Sequence, residues 1–373
     1  MIRQRSISKR ARKLGKHESP RDRSGYGEVD RVKRRCVQFG TMTVADHHPA
    51  LGRSASAFYR ELIDQAVLAE QEGYESFWVA EHHFHEYGIV PAPAVLLSAI
   101  AQRTSSLRLG TSVVVCPFHD PRSIAEQYAL LDVLSDGRFN FGAGSGYLPH
   151  EFAGFGIDPT EKRERFDEAL DIIRRLWRGE RVTVHSSYND FDDVAINVEP
   201  VQQPLPPTWI AAIRAEVAPF IAARGERIMG IPYALERIGA VHDMLGAYHA
   251  AFVRSGDLWQ PADVTLAWHT YVGESSNRAI AEARDAMEQY TATRLYATSQ
   301  DKTFEELYDN GLLIIGDANY CIERIRELGD AGMTRMLTLT NFGALPHDRV
   351  VRSMKRFAAE VIPAFTSTQV STT

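Results

Sequence analysis

Cysteine is scarce in this 373-residue chain, with only Cys36, Cys116 and Cys321, far apart and odd in number. A disulfide framework needs an even set and a cysteine metal site needs grouped ligands, so neither is expected. Long apolar runs are missing too. The longest, Pro91–Ala101, is broken by prolines and Ser98 and is too short to span a bilayer. The basic N-terminus is never followed by the apolar core of roughly 7–15 residues that a secretion signal carries. These absences point to a soluble, cytoplasmic protein. What is present is ordinary: 44% hydrophobic and 24% charged residues, neither a disordered nor a collagenous composition. The length allows two or three domains, or one α/β barrel of about 250 residues or more.

The net charge of -6 hides an asymmetry. Residues 1–36 hold thirteen Lys/Arg against four Asp/Glu, which leaves 29 basic and 44 acidic residues in the rest. Arg3–Arg35 has almost no apolar periodicity and cannot bury enough surface to order itself. It reads as a disordered tail or as residues upstream of the true start. A nucleic-acid or anionic-membrane arm is the competing reading. The expected division is a tail over 1–35, a folded unit over 36–366 and a second tail over 367–373.

From Arg35 onward the punctuation is regular. Val37–Thr43 reads as a strand, and Ser54–Glu72 places Phe58, Leu62, Ala66 and Ala69 on one helix face, stopped by Gly73. Ser76–Ala80, Leu107–Val115 and Arg138–Ala143 read as further strands. Between them lie helices at Ala92–Arg103 and from Asp120-Pro121 to Asp136-Gly137, with Glu161–Trp177 after the last. Each strand–helix unit takes about 30 residues, the signature of parallel βαβ crossovers. Arg181–Pro207 breaks the scheme as an insertion with strand-like pieces at Val182–Val184 and Val194–Val198. Alternation then resumes with strands at Thr208–Ala212, Arg227–Ile231, Val264–Val272 and Arg335–Asn341. Helices are expected from Leu235 to about Arg254, from Ser275 to about Tyr290, at Ala318–Leu328 and at His347–Phe365. Thr291–Asn310 is a second insertion and a candidate lid. Eight strands and at least eight helices fit a closed (β/α)8 TIM barrel with insertions better than an open sheet.

Chemistry in such a barrel sits at the C-terminal strand ends. Those ends carry Thr41–Thr43, Glu81-His82-His83-Phe84-His85-Glu86, Cys116-Pro117, Gly142-Ala143-Gly144-Ser145-Gly146-Tyr147, Ala212-Ile213-Arg214 and Asn341-Phe342-Gly343. His83-x-His85 would suit a metal-dependent hydrolase, but the other strand ends offer few further ligands, and no metal is expected. Hydrogen-bonded structural histidines fit His83 and His85 better than His82, which should face the barrel mouth. Gly142-x-Gly144-x-Gly146 is a near-match to a dinucleotide fingerprint, yet the third glycine would fall at Tyr147, and the next long helix begins only near Glu161. Three glycines there suggest close approach of a flat or anionic group to the backbone.

At these residues the chain resembles the bacterial luciferase-like family of flavin-dependent monooxygenases. The resemblance runs in order through Trp78-Val79-Ala80-Glu81-His82-His83-Phe84, Leu109-Gly110-Thr111 and Asp136-Gly137-Arg138-Phe139-Asn140-Phe141-Gly142. It continues through Glu151-Phe152 with Phe155-Gly156, Leu176-Trp177-Arg178-Gly179-Glu180, and Phe342-Gly343 with Leu345-Pro346-His347. It covers about residues 36–365. The resemblance implies the eight-stranded barrel and a reaction of reduced flavin mononucleotide (FMN) with O2, through a flavin hydroperoxide that oxygenates a small organic substrate. It further implies a separate NAD(P)H:flavin reductase as partner, and His82 as the catalytic histidine. No nucleic-acid or membrane partner is expected, and a homodimer or higher homo-oligomer is.

Departures accompany the likeness. The luciferases carry Cys-Arg-Gly where this chain has Gly144-Ser145-Gly146, and their arginine helps to hold the flavin phosphate. Their fifth-strand serine is here Arg214. A long-chain aldehyde substrate and light emission therefore do not carry over. Ser112-Val113 falls where luciferases have a cis peptide. The expected flavin contacts are Thr41, Ser112, Val113, Gly144, Ser145, Gly146, Ala212 and Arg214. Two alternatives remain at this stage: a deazaflavin (F420)-dependent reductase or dehydrogenase on the same scaffold, and a non-catalytic flavin-binding subunit.

Overall fold

The structure, a computed structural model, describes residues 37–212, 214–255, 263–293 and 302–366. Both expected tails and residues 294–301 of the candidate lid lie outside the described residues. Eight strands form a closed parallel barrel: β1 (Gln38–Thr43), β2 (Ser76–Val79), β3 (Arg108–Thr111), β4 (Phe139–Gly144), β5 (Thr208–Ala211), β6 (Arg227–Gly230), β7 (Val264–Val272) and β8 (Arg335–Asn341). Each pairs with the next, and β8 returns to β1 in the register Gln38↔Arg335 through Thr41↔Thr338. This is the (β/α)8 barrel expected from the repeat pattern.

Residues side by side in parallel register point the same way, and alternate residues point apart. Trp78 on β2 meets Trp209 on β5 edge-on at 5.2 Å across the lumen, which identifies the inward set. At the N-terminal strand ends that set is charged. Arg227 and Arg335 flank the Trp209 ring at 4.9 and 5.1 Å. Arg335 also bonds Gln38 and Asp263, and Arg108 bonds Asn140 and Gln202. Paired guanidinium groups and an indole thus plug the lower end of the barrel.

The outer helices begin where their caps lie. The Ser54 side chain accepts from the Ala57 N–H at the head of Ala55–Gln71, and Asp120 accepts from the Arg122 N–H ahead of Pro121–Leu134. The face carrying Phe58, Leu62, Ala66 and Ala69 is buried, as its spacing predicts. No helix among the described residues is long and apolar enough to cross a membrane.

Three local expectations are corrected. The β-branched run 107–115 is not one strand: β3 stops at Thr111, the Ser112–Val113 peptide is cis, and Val114–Val115 pairs separately with β4. The first insertion is a hairpin of Val182–His185 with Asp190–Val194, so its second arm comes earlier than Val194–Val198. The reason lies in the turn, where the Ser186 hydroxyl accepts from the N–H groups of Tyr188 and Asn189 and reverses the chain there. A short helix, Pro149–Phe155, follows the glycine loop where none was expected before Glu161; Pro149 opens it and Gly156 ends it in the left-handed conformation.

Candidate active site

That short helix carries Glu151 to His82. Oε1 of Glu151 lies 3.0 Å from His82 Nδ1 and accepts the His83 backbone N–H at 3.0 Å. A carboxylate accepts, so Nδ1 holds the hydrogen and Nε2 carries the lone pair. No described residue hydrogen-bonds Nε2. Both side chains are buried, and the His82 ring is fixed further by Tyr87, edge-on at 4.6 Å. Its peptide is held as well, with the N–H donating to the Val90 carbonyl.

His83 turns the other way. Its Nε2 donates to Glu81 Oε1 at 2.9 Å, and His119 Nε2 donates to the same oxygen at 2.7 Å. The Val115 N–H reaches Glu81 Oε2. Burial pushes the Glu81 carboxyl up, but the two imidazole hydrogen bonds outweigh it and hold it below the ordinary value. Burial pushes His119 down, and the Glu81 partner more than reverses that. Among the described residues, Glu81, His83 and His119 are also the one group of three such side chains close enough to share a cation. The hydrogen bonds already present make it a clasp joining the ends of β2 and β3. His85 accepts the Tyr87 N–H within its loop, a structural part.

The expected flavin contacts fall into two groups. Ser112, Val113, Gly144, Ser145, Gly146 and Ala212 gather at the ends of β3, β4 and β5. The Ser112 hydroxyl points at Met42 Sδ at 3.4 Å, and a Cβ at Gly144 would lie 2.5 Å from Val113 Cγ2 and 3.5 Å from Ala211. Gly142 faces the Thr111 carbonyl, and Gly146 has a φ of +77°. The chain's own packing therefore accounts for all three glycines, and close approach of a ligand is not needed to explain them. The Ser145 hydroxyl has no hydrogen bond among the described residues and is half-buried. Thr41 stands apart, its hydroxyl donating to the Thr338 carbonyl.

Arg214 is exposed, and its only described ion pair is a long one, 3.7 Å to Glu216. It nevertheless belongs to a cationic cluster. Lys162, first residue of the helix Lys162–Trp177, reaches to 3.5 Å from the Gly146 carbonyl. Burial, then the charges of Arg214 and Arg163, push its ammonium below the ordinary value. Lys162 and the N-terminus of its helix thus lie beside the glycine loop, with the charges of Arg214 and Arg163 near enough to act on Lys162, an arrangement suited to a phosphate.

Beyond His82 a line of rings crosses the mouth. Tyr87 meets Tyr290 with hydroxyls 3.1 Å apart, and Tyr290 meets His269 at 4.5 Å. Tyr233 and Phe342 close the far side at 4.9 and 5.3 Å. His269, on β7, is fully buried, and burial pushes its imidazole down to about 3. Sequence reading singled out none of Glu151, Lys162 and His269. Glu151 lay inside a quoted motif without a role; Lys162 and His269 left no signal, because their partners are distant in sequence.

Comparison with known proteins follows the same lines. Residues 37–335 match the family model described as luciferase-like monooxygenase. The oxygenase component of a flavin-dependent trigonelline monooxygenase from Acinetobacter baylyi is 27% identical, over 84% of this chain and 91% of its own. An F420-dependent glucose-6-phosphate dehydrogenase from Amycolatopsis mediterranei is 28% identical, over 82% and 94%. The crystal structure of monooxygenase RslO1 from Streptomyces bottropensis superposes with a TM-score of 0.81 at 29% identity, over 88% of this chain and all of that one. With the family model spanning most of the chain and the barrel closed as the motifs imply, this protein belongs to the luciferase-like monooxygenase family of oxidoreductases.

Proposed function

We propose that the chain is the oxygenase component of a two-component system. It would use reduced FMN and O2 to place one oxygen atom in a small organic substrate, and a separate NAD(P)H:flavin reductase would supply the flavin. The observation that carries this reading is the His82–Glu151 pair at the mouth of the barrel. Reduced flavin, when bound, supplies the two electrons that activate O2; one oxygen atom goes to the substrate and the other leaves as water. The protein's part is to hold and move protons. With Nδ1–H directed at Glu151, His82 presents Nε2 as a base, and Glu151 stabilises the imidazolium once a proton arrives. Ser112, Val113, Gly144 and Ala212 would lie along the flavin. Lys162, Arg214 and the Ser145 hydroxyl would face its phosphate, which carries close to two negative charges and needs a local cation in an acidic barrel.

The A. baylyi relative, named as flavin-dependent and as an oxygenase component, supports the flavin and the separate reductase. The A. mediterranei relative favours a second reading, hydride transfer with deazaflavin F420 and no oxygen consumption. Anaerobic titration with reduced FMN and, separately, reduced F420, followed by admission of O2, tests both. Tight binding of FMN with oxygen uptake is expected; binding of F420 alone would establish the second reading.

A further inference from the structure

We propose that His269 is the specificity residue for the organic substrate, and that this substrate is a small uncharged ring compound whose hydroxyl or carbonyl hydrogen-bonds the imidazole. The inference rests on the monooxygenase reading and adds the substrate class.

His269 pairs in register with Leu339 on β8, in the inward-facing set that includes Leu337 beside Gly40. It therefore points into the lumen rather than at the helices. Its side chain is fully buried, yet neither Nδ1 nor Nε2 has a hydrogen-bond partner among the described residues. Buried polar groups almost always find partners, and an apolar side chain would fill this place at no such cost. An imidazole kept here is explained by a ligand that bonds to it.

Its surroundings set the chemistry of that ligand. The rings touching His269 belong to Tyr233, Tyr290 and Phe342, none of which carries charge. Burial holds His269 itself neutral, so it can donate from one nitrogen and accept at the other. The buried carboxylate of Asp46, whose charge acts on Tyr290, is engaged at Oδ2 by His48 Nε2 at 2.9 Å and by the Gly343 N–H at 2.7 Å, and its Oδ1 has no hydrogen-bond partner among the described residues. Among the described residues this wall offers an anionic substrate no cation, and the imidazole, held neutral, suits an uncharged hydroxyl or carbonyl. Successive ring centroids from His82 through Tyr87, Tyr290 and His269 are 4.6, 5.8 and 4.5 Å apart, a face that favours a flat ring by edge and face contact. The cations beside Gly146 serve β4 and β5, so the polar anchor on β7 is separate from the phosphate region. A substrate held at His269 would lie along the wall that ends at His82.

Phenol and toluene, nearly equal in shape and differing in the hydroxyl, are suitable probes. FMN affinity of the full chain is measured first, and the two probes are then titrated in its presence. Phenol should bind about tenfold more tightly than toluene, the size of one hydrogen bond. His269→Phe should bring the ratio close to one with FMN affinity unchanged, and His269→Gln, which keeps a donor and an acceptor, should retain most of it. A ratio near one in the unaltered protein, or one that survives His269→Phe, overturns the inference. A fall in FMN affinity on His269→Phe also overturns it, by making His269 a flavin ligand. Failure of the unaltered protein to bind FMN counts instead against the monooxygenase reading, and the phenol-to-toluene ratio is still read on its own.

Discussion

Nδ1 of His82 lies 3.0 Å from Oε1 of Glu151, across 69 residues of sequence. The contact orients the imidazole, and its neighbour His83 is turned away onto Glu81. His82→Ala should therefore lower turnover about 10²–10⁴-fold, the usual range for losing a general acid or base. His83→Ala should cost much less. Steady-state kinetics on both variants decide, and equal losses would remove the assignment.

Glu151→Ala should lower turnover by an intermediate factor while leaving flavin affinity within about twofold, because the carboxylate positions His82 and does not face the phosphate region. Turnover unchanged from the unaltered protein would show that the pair is structural only.

The charge of Arg214 acts on Lys162, but Lys162 reaches the Gly146 carbonyl of the glycine loop and Arg214 is exposed. Lys162→Ala should weaken FMN binding by about 1.5–3 kcal/mol, the scale of a hydrogen bond to a charged group, and Arg214→Ala by less. Riboflavin, which has no phosphate, should be hardly affected by either. Equal losses for FMN and riboflavin in a fluorescence titration would place the phosphate elsewhere.

His269 confers a pH dependence on stability. Its folded pKa is about 3 against 6.5 for a free imidazole, so below pH 6.5 the unfolded chain takes up a proton that the folded chain refuses. Stability should fall as pH drops from 6.5 towards 3, by about 2 kcal/mol at pH 5. His269→Phe should lose that share of the acid sensitivity in denaturant unfolding at pH 7.5 and pH 5. Parallel curves for the two proteins would contradict it.

The Glu81–His119 contact has the opposite limits. Glu81, lowered from 4.5, contributes stability above that value and loses it as pH falls through its folded pKa. His119, raised from 6.5, contributes below that value and loses it as pH rises through its own. The clasp is thus strongest between about pH 4.5 and 6.5. The melting temperature of His119→Gln should lie furthest below that of the unaltered protein in this window and draw nearer above it. A constant gap from pH 5 to 9 would sink the assignment.

The barrel was legible because each strand is a short β-branched or aromatic run between turn signals, and the helix faces repeat at Phe58, Leu62, Ala66 and Ala69. His82 could be placed from its position one step past the apolar strand, and the cis bond at Ser112–Val113 from the family resemblance. The helix Pro149–Phe155 is too short to show a period, so Glu151 stayed without a role. Lys162 reads as one more charge on an amphipathic helix until the fold brings the Gly146 carbonyl to it. His269 lies in a continuous buried run, Val264–Val272, where every position looks alike and only strand register shows which side faces the lumen.

The plug at the N-terminal strand ends governs traffic through the molecule. Among the described residues, Arg227 and Arg335 against Trp209, with Arg108 tied to Asn140, close the foot of the barrel. A small molecule bound among the strand ends above finds no way on through that foot. If two small molecules stack there, the deeper one has to arrive first and depart last, so a closed foot would impose an order of loading and unloading from far below the site.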